Sequence, residues 1–96
     1  MSHLPEIADL HVIVHGRVQG VGFRYAVVSY AVAHEIQGWV RNRSEGSVEV
    51  AARGEPESIA ALLSWLQVGP PGARVESIEV LPTETDALTA GFQVRY

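Results

Sequence analysis

From Asp9 to His15 the chain alternates, with Leu10, Val12 and Val14 set against His11, Ile13 and His15. A period of two predicts a first strand with one buried face, and Gly16 is expected to end it. The period then changes. Phe23, Val27 and Tyr30 fall at helical spacing, and Ala26 and Ala31 are small enough for close packing onto a sheet, so a first helix is predicted from Phe23 to about Ala33. Gln37 to Arg43 and Ser47 to Arg53 read as two strands joined through Arg43-Ser44-Glu45-Gly46, a short glycine-containing hairpin connection that predicts antiparallel pairing. Pro56 stands where a first helical turn would begin. Ile59, Leu62, Leu63 and Leu66 then make one apolar face until Gly69-Pro70-Pro71-Gly72 stops the helix. A fourth strand is predicted through Val75 to Leu81. After a polar loop, Phe92, Val94 and Tyr96 alternate in a short terminal strand.

The order β-α-β-β-α-β with a last short β predicts an α+β protein, a ferredoxin-like split βαβ sandwich in which two helices cover one face of an antiparallel sheet. Ninety-six residues suffice for one such domain and leave no room for a second; residues 1–8 are expected to be a flexible N-terminal extension. Hydrophobic residues are 47% of the chain and charged ones 19%, a balance that folds rather than one that stays disordered. This architecture serves many functions, so activity has to be read from a site.

Composition removes several chemistries. With no cysteine there is no disulfide, thiolate metal site or thiol nucleophile. All seven cationic side chains are Arg, which removes the Walker A lysine and Schiff-base chemistry. A net charge of −4 argues against a broad nucleic-acid surface. The first residues lack a secretory signal and no stretch approaches the ~20 apolar residues of a membrane span. A cytoplasmic monomer without nucleic-acid or membrane partners is the expectation.

The stretch Gly16-Arg17-Val18-Gln19-Gly20-Val21-Gly22-Phe23-Arg24 joins a strand end to a helix start and holds three glycines within seven positions. Glycines there let several N–H groups turn toward one point, and the helix N-terminus adds partial positive charge. Arg24 is an awkward neighbour for that positive end, and a bound phosphoryl dianion would supply the reason for it. From these residues alone, a tight turn with Arg24 pointing into water stays open as an alternative. A dinucleotide G-x-G-x-x-G starting at Gly20 fails because Tyr25 occupies its last position.

Val14-x-Gly16-x-Val18-Gln19-Gly20-Val21-x-Phe23-Arg24 resembles the first signature of the acylphosphatase family, and Gly38-Trp39-Val40-Arg41-Asn42 followed by Gly46, Val48 and Gly54 resembles the second. The likeness extends through Gly69-Pro70 to the closing Phe92-Gln93-Val94-Arg95-Tyr96. It departs at Ala33-His34-Glu35-Ile36-Gln37, where family members often carry Gly at the helix end. The resemblance implies that Arg24 binds phosphate and that Asn42 positions the attacking water. The loop amides of Gln19, Gly20, Val21, Gly22 and Phe23 would complete the phosphate cradle. It also implies hydrolysis of carboxyl-phosphate anhydrides such as acetyl phosphate, carbamoyl phosphate or 1,3-bisphosphoglycerate to a carboxylate and inorganic phosphate, with no metal and no organic cofactor.

Spacing alone would make Asn42 a polar strand residue near a hairpin, and the second motif is what reverses that reading. Arg41 and Arg43 read as solvated strand cations beside it. His11 and His15 share a strand face but have no evident third ligand, so paired metal ligation is disfavoured. Trp39 and Trp65 read as core or rim aromatics. The competing function is a non-catalytic module of the same fold that binds an acyl or carbamoyl phosphate or a partner protein.

Overall fold

The computed structural model describes residues 6–83 and 90–96. Its elements are β1 (Ala8–Arg17), α1 (Phe23–Ala33), β2 (Gln37–Asn42), β3 (Val48–Gly54), α2 (Pro56–Leu66), β4 (Arg74–Val80) and β5 (Phe92–Arg95). The sheet order is β4-β1-β3-β2-β5. β1 pairs antiparallel with both β3 and β4, and β2 pairs antiparallel with β3. β1 and β2 therefore run in the same direction with β3 inserted between them, which is the split βαβ arrangement. β5 differs from the expected antiparallel pattern: it lies parallel to β2, with Gly38 opposite Phe92 and Arg41 opposite Arg95, and makes the sheet mixed.

The alternation in β1 does bury Leu10, Val12 and Val14 beneath the helices, where Val40, Val48 and Val50 of the neighbouring strands join them. α1 contributes Phe23, Val27 and Ala31, and α2 contributes Ile59, Leu62 and Leu66. These two stripes and the sheet face form one core, the main driving force for the fold. Ile13, Trp39, Glu49 and Ala51 are also buried, although strand alternation puts them on the face away from the helices. Side chains supply that cover: Arg41 and Arg95 lie over the Trp39 ring at 5.3 and 4.8 Å, and His11 meets it edge-on. Trp65 stacks on Tyr30 on the helical side.

Two local expectations change. Gly16 does not end β1; the strand continues to Arg17 through an irregularity between His15 and Gly16 against β4. Gly16 has φ +132°, and a Cβ there would lie 2.1 Å from the Arg74 carbonyl oxygen, so β4 crosses where a side chain cannot be. At the end of α1, where a glycine is absent, Glu35 takes φ +57°. Glu35 N–H donates to the Val32 carbonyl at 3.3 Å and Ile36 N–H to the Ala31 carbonyl at 2.8 Å, a Schellman cap built without glycine. Of the expected N-terminal extension, residues 1–5 lie outside the described residues, and Ala8 already pairs with Gly54. Part of the polar loop before β5 lies outside them as well.

Candidate active site

Because β1 and β2 are parallel, the loop that leaves β1 and the last residue of β2 emerge at the same end of the sheet. Val48 of β3 is the common reference: it pairs with Val14 on one side and with Asn42 on the other. Parallel pairing of Arg41 with Arg95 brings Tyr96 to the same end. Topology thus gathers the glycine loop, Asn42 and Tyr96 before any side-chain contact is considered.

The loop turns on Gly20 and Gly22, both left-handed at φ +76° and +75°. Gly22 is also the N-cap of α1, with no side-chain cap and no acidic residue in the first turn. The first bond of the helix runs from Ala26 N–H to the Gly22 carbonyl at 3.0 Å. The N–H groups of Phe23, Arg24 and Tyr25 accordingly have no intrahelical partner. Val18, Gly20, Gly22, Phe23, Arg24, Tyr25 and Asn42 enclose a cavity of about 190 Å³ there. That is below the ~300–1,000 Å³ of sites for drug-sized ligands and suits a small group such as a phosphoryl. Half-buried Arg24 has no hydrogen bond or ion pair among the described residues; its guanidinium lies 5.4 Å from the centre of the Tyr96 ring. Unbonded amides, a helix N-terminus and an uncompensated guanidinium are the kinds of group that attract an anion.

Asn42 closes the cavity from the β2 side, and its carboxamide has no hydrogen-bond partner among the described residues. A carboxamide can both donate to and accept from a water molecule, but it cannot take a proton at neutral pH. Beyond Asn42 lies a second, more open depression of about 380 Å³ lined by Arg41, Asn42, Arg43, Ser44, Glu45 and Tyr96. It is the larger of the two, yet the smaller one is lined by Arg24 and the unbonded first turn of α1 and is the better candidate for chemistry.

On the open face of the sheet, Glu49 is 4% exposed and anchors the residues that flank Asn42. Its carboxylate accepts from His11 Nε2 at 2.6 Å and from Arg41 Nε at 2.7 Å, and Arg43 Nη1 lies 3.5 Å away. Burial pushes the Glu49 carboxyl up, but the hydrogen bonds from His11 and Arg41 and the Arg41 charge outweigh it, so it titrates below the usual carboxylate range. Arg43 bonds Glu45 at 3.1 Å, which together with Glu49 holds its guanidinium in the charged form. Arg41 and Arg43, read from sequence as solvated cations, keep 45% and 35% of their side-chain surface exposed and are ion-paired as well.

Of the residues read from sequence, Gly20, Gly22, Phe23, Arg24 and Asn42 line the small cavity, whereas Gln19 and Val21 do not. Val21 packs against the core. The Gln19 side chain turns to the β2–β3 hairpin, where Nε2 donates to the carbonyls of Arg43 and Ser47 at 2.8 and 2.9 Å. Sequence reasoning missed Val18 and Tyr25; counting the unbonded amides forward from an N-cap at Gly22 would have included Tyr25. His11 and His15 face Glu49 and Glu79, and among the described residues no three His, Asp or Glu side chains converge on a common point.

Fold and cavity define a ferredoxin-like α+β domain with a small cavity between its first loop and second strand. Residues 10–94 match the family model described as Acylphosphatase. The chain is 49% identical over 72 residues to an acylphosphatase of Cupriavidus pinatubonensis, covering 75% of this chain and 80% of that one. Against an acylphosphatase of Thiobacillus denitrificans it is 44% identical over 86 residues, with 90% and 94% covered. The crystal structure of the Bacillus subtilis acylphosphatase superposes with a TM-score of 0.85 at 34% identity, covering 95% of this chain and all of the other. The chain belongs to the acylphosphatase family.

Proposed function

We propose that the protein is an acylphosphatase that hydrolyses the carboxyl-phosphate bond of small acyl phosphates, giving a carboxylate and inorganic phosphate by direct attack of water. The observation that carries this reading is the 190 Å³ cavity shared by Arg24, the uncapped start of α1 and Asn42. Phosphoryl transfer needs charge stabilisation and alignment more than covalent help, because its transition state carries charge on the phosphoryl oxygens. Arg24 grips those oxygens together with the amides of the loop and first helical turn. Asn42 holds the water in line with the scissile bond. As the water oxygen bonds to phosphorus, the acyl oxygen leaves with the bonding pair as a carboxylate. Its conjugate acid is as strong as Asp or Glu, so no general acid is needed. The water's proton passes to a phosphoryl oxygen of the substrate, since neither Arg24 nor Asn42 can accept it.

The same reading takes the working form to be a cytoplasmic monomer that uses no metal or organic cofactor and binds neither nucleic acid nor membrane. The net charge of −4 supports the nucleic-acid part of it.

Phosphate release from acetyl or benzoyl phosphate in EDTA tests the proposal. The parent is expected to turn over, with Arg24→Ala and Asn42→Ala each losing on the order of 10²-fold or more in kcat/KM. An inactive parent would leave the binding-module alternative. Dependence on a metal would overturn the cofactor-free mechanism, and a folded Asn42→Ala enzyme at full rate would remove the role given to Asn42.

A further inference from the structure

We infer that Gln19 is a positioning residue whose side chain sets the distance between the phosphate cradle and the water held by Asn42; the inference rests on the hydrolytic reading above. Gln19 directly precedes Gly20 of the cradle, yet its side chain leaves the cavity and docks on the turn that follows Asn42. Both N–H groups of its amide are accounted for by two carbonyls, Arg43 at 2.8 Å and Ser47 at 2.9 Å.

Those carbonyls are already satisfied once within the hairpin. Arg43 N–H donates to the Ser47 carbonyl at 2.9 Å, and Gly46 N–H donates to the Arg43 carbonyl at 3.1 Å. Gln19 therefore takes up their second lone pairs. The turn closes without it, and what Gln19 adds is the relation of the turn to the loop. A glycine loop has little stiffness of its own, since Gly20 and Gly22 lack the Cβ that restricts backbone dihedrals. The short side-chain link spans the two halves of the site next to their reacting ends. In-line attack tolerates little misplacement, and an error of about 1 Å costs on the order of 100-fold in rate.

Gln19→Met keeps the length and removes both donors; Gln19→Leu removes them as well without adding charge, and serves if Met perturbs folding. Each full-length variant is compared with the parent for kcat, for competitive inhibition by inorganic phosphate, and in an Asn42→Ala background. The expected result is a kcat lower by roughly 10-fold to 100-fold, with the phosphate inhibition constant within about twofold of the parent. In the Asn42→Ala background the Gln19 substitution should have almost no further effect, because residues acting through one another are non-additive. An unchanged kcat, a parallel weakening of phosphate inhibition, or full additivity with Asn42→Ala would overturn the inference. An inactive parent would refute the hydrolytic reading first and the positioning role with it.

Discussion

Arg41 and Glu49 face each other across the β2–β3 ladder, with Nε of one 2.7 Å from Oε1 of the other. The same carboxylate holds His11 and is 4% exposed, so it is desolvated and stabilised by charge-assisted hydrogen bonds. Its pKa is depressed in the folded protein relative to an unfolded chain. The associated stability is present above the ordinary Glu value near ~4.3 and is lost as pH falls through the folded value. Glu49→Gln should destabilise the protein by about 2 kcal/mol at neutral pH. It should also flatten the acid limb of a urea-denaturation series run downward from pH 7. A variant with the parent's acid sensitivity would assign that limb to other carboxylates.

The cap of α1 offers the opposite sign. Glu35 sits in the left-handed region at φ +57°, where a Cβ costs roughly 1–2 kcal/mol, while its two cap bonds are backbone bonds that any residue can make. Glycine would relieve the strain and give back roughly half of it as unfolded-state entropy. Glu35→Gly should therefore stabilise by about 0.5–1 kcal/mol, which is several degrees in Tm for a domain of this size. Thermal melts of the two proteins decide it, and a lower Tm for the glycine variant contradicts the account.

The contrast between these two residues shows what was legible in the sequence. Element types and order followed from apolar periodicity, because Leu10, Val12, Val14 and Ile59, Leu62, Leu66 each carry a burial pattern within one segment. The parallel edge strand, the burial of Glu49 and the turning of Gln19 toward Ser47 depend on residues far apart in the chain, and no local pattern encodes them. The glycine loop and Arg24 could be picked out as candidates from sequence because their chemistry is local to one strand–helix junction. Asn42 stood out only through the second motif, since its place beside that loop comes from pairing with Val48, which no local pattern encodes.

Gly22 separates fold from function in the loop. Its φ of +75° is left-handed, and a Cβ would meet nothing within 4 Å, so Gly22→Ala introduces backbone strain without a clash. The strain is about 1–2 kcal/mol if the loop keeps its shape, or less if the loop relaxes. Relaxation would turn the first helical amides away from a common point. Inorganic phosphate should consequently bind the folded variant at least about tenfold more weakly, a loss of ~1.4 kcal/mol in binding. Competitive inhibition by phosphate and chemical denaturation, measured together, separate the two outcomes; unaltered inhibition would show that the amides of this turn do not bind the anion.

Arg24 gives the last expectation, in which stability and binding part company. In the ligand-free protein the guanidinium is near the positive end of α1, which costs about 0.3–1 kcal/mol, while its contact with the Tyr96 ring at 5.4 Å contributes a similar amount in its favour. Arg24→Gln removes both, so ligand-free stability should change by less than about 0.5 kcal/mol. Phosphate alters the balance because it binds only the folded state. At a concentration 100 times its dissociation constant it should stabilise the parent by about 2.7 kcal/mol. The substituted side chain is neutral, and the phosphate-induced rise in Tm should largely disappear. Melting curves of both proteins across a phosphate series test this, and an equal rise in the two would mean that Arg24 is not the residue that holds the anion.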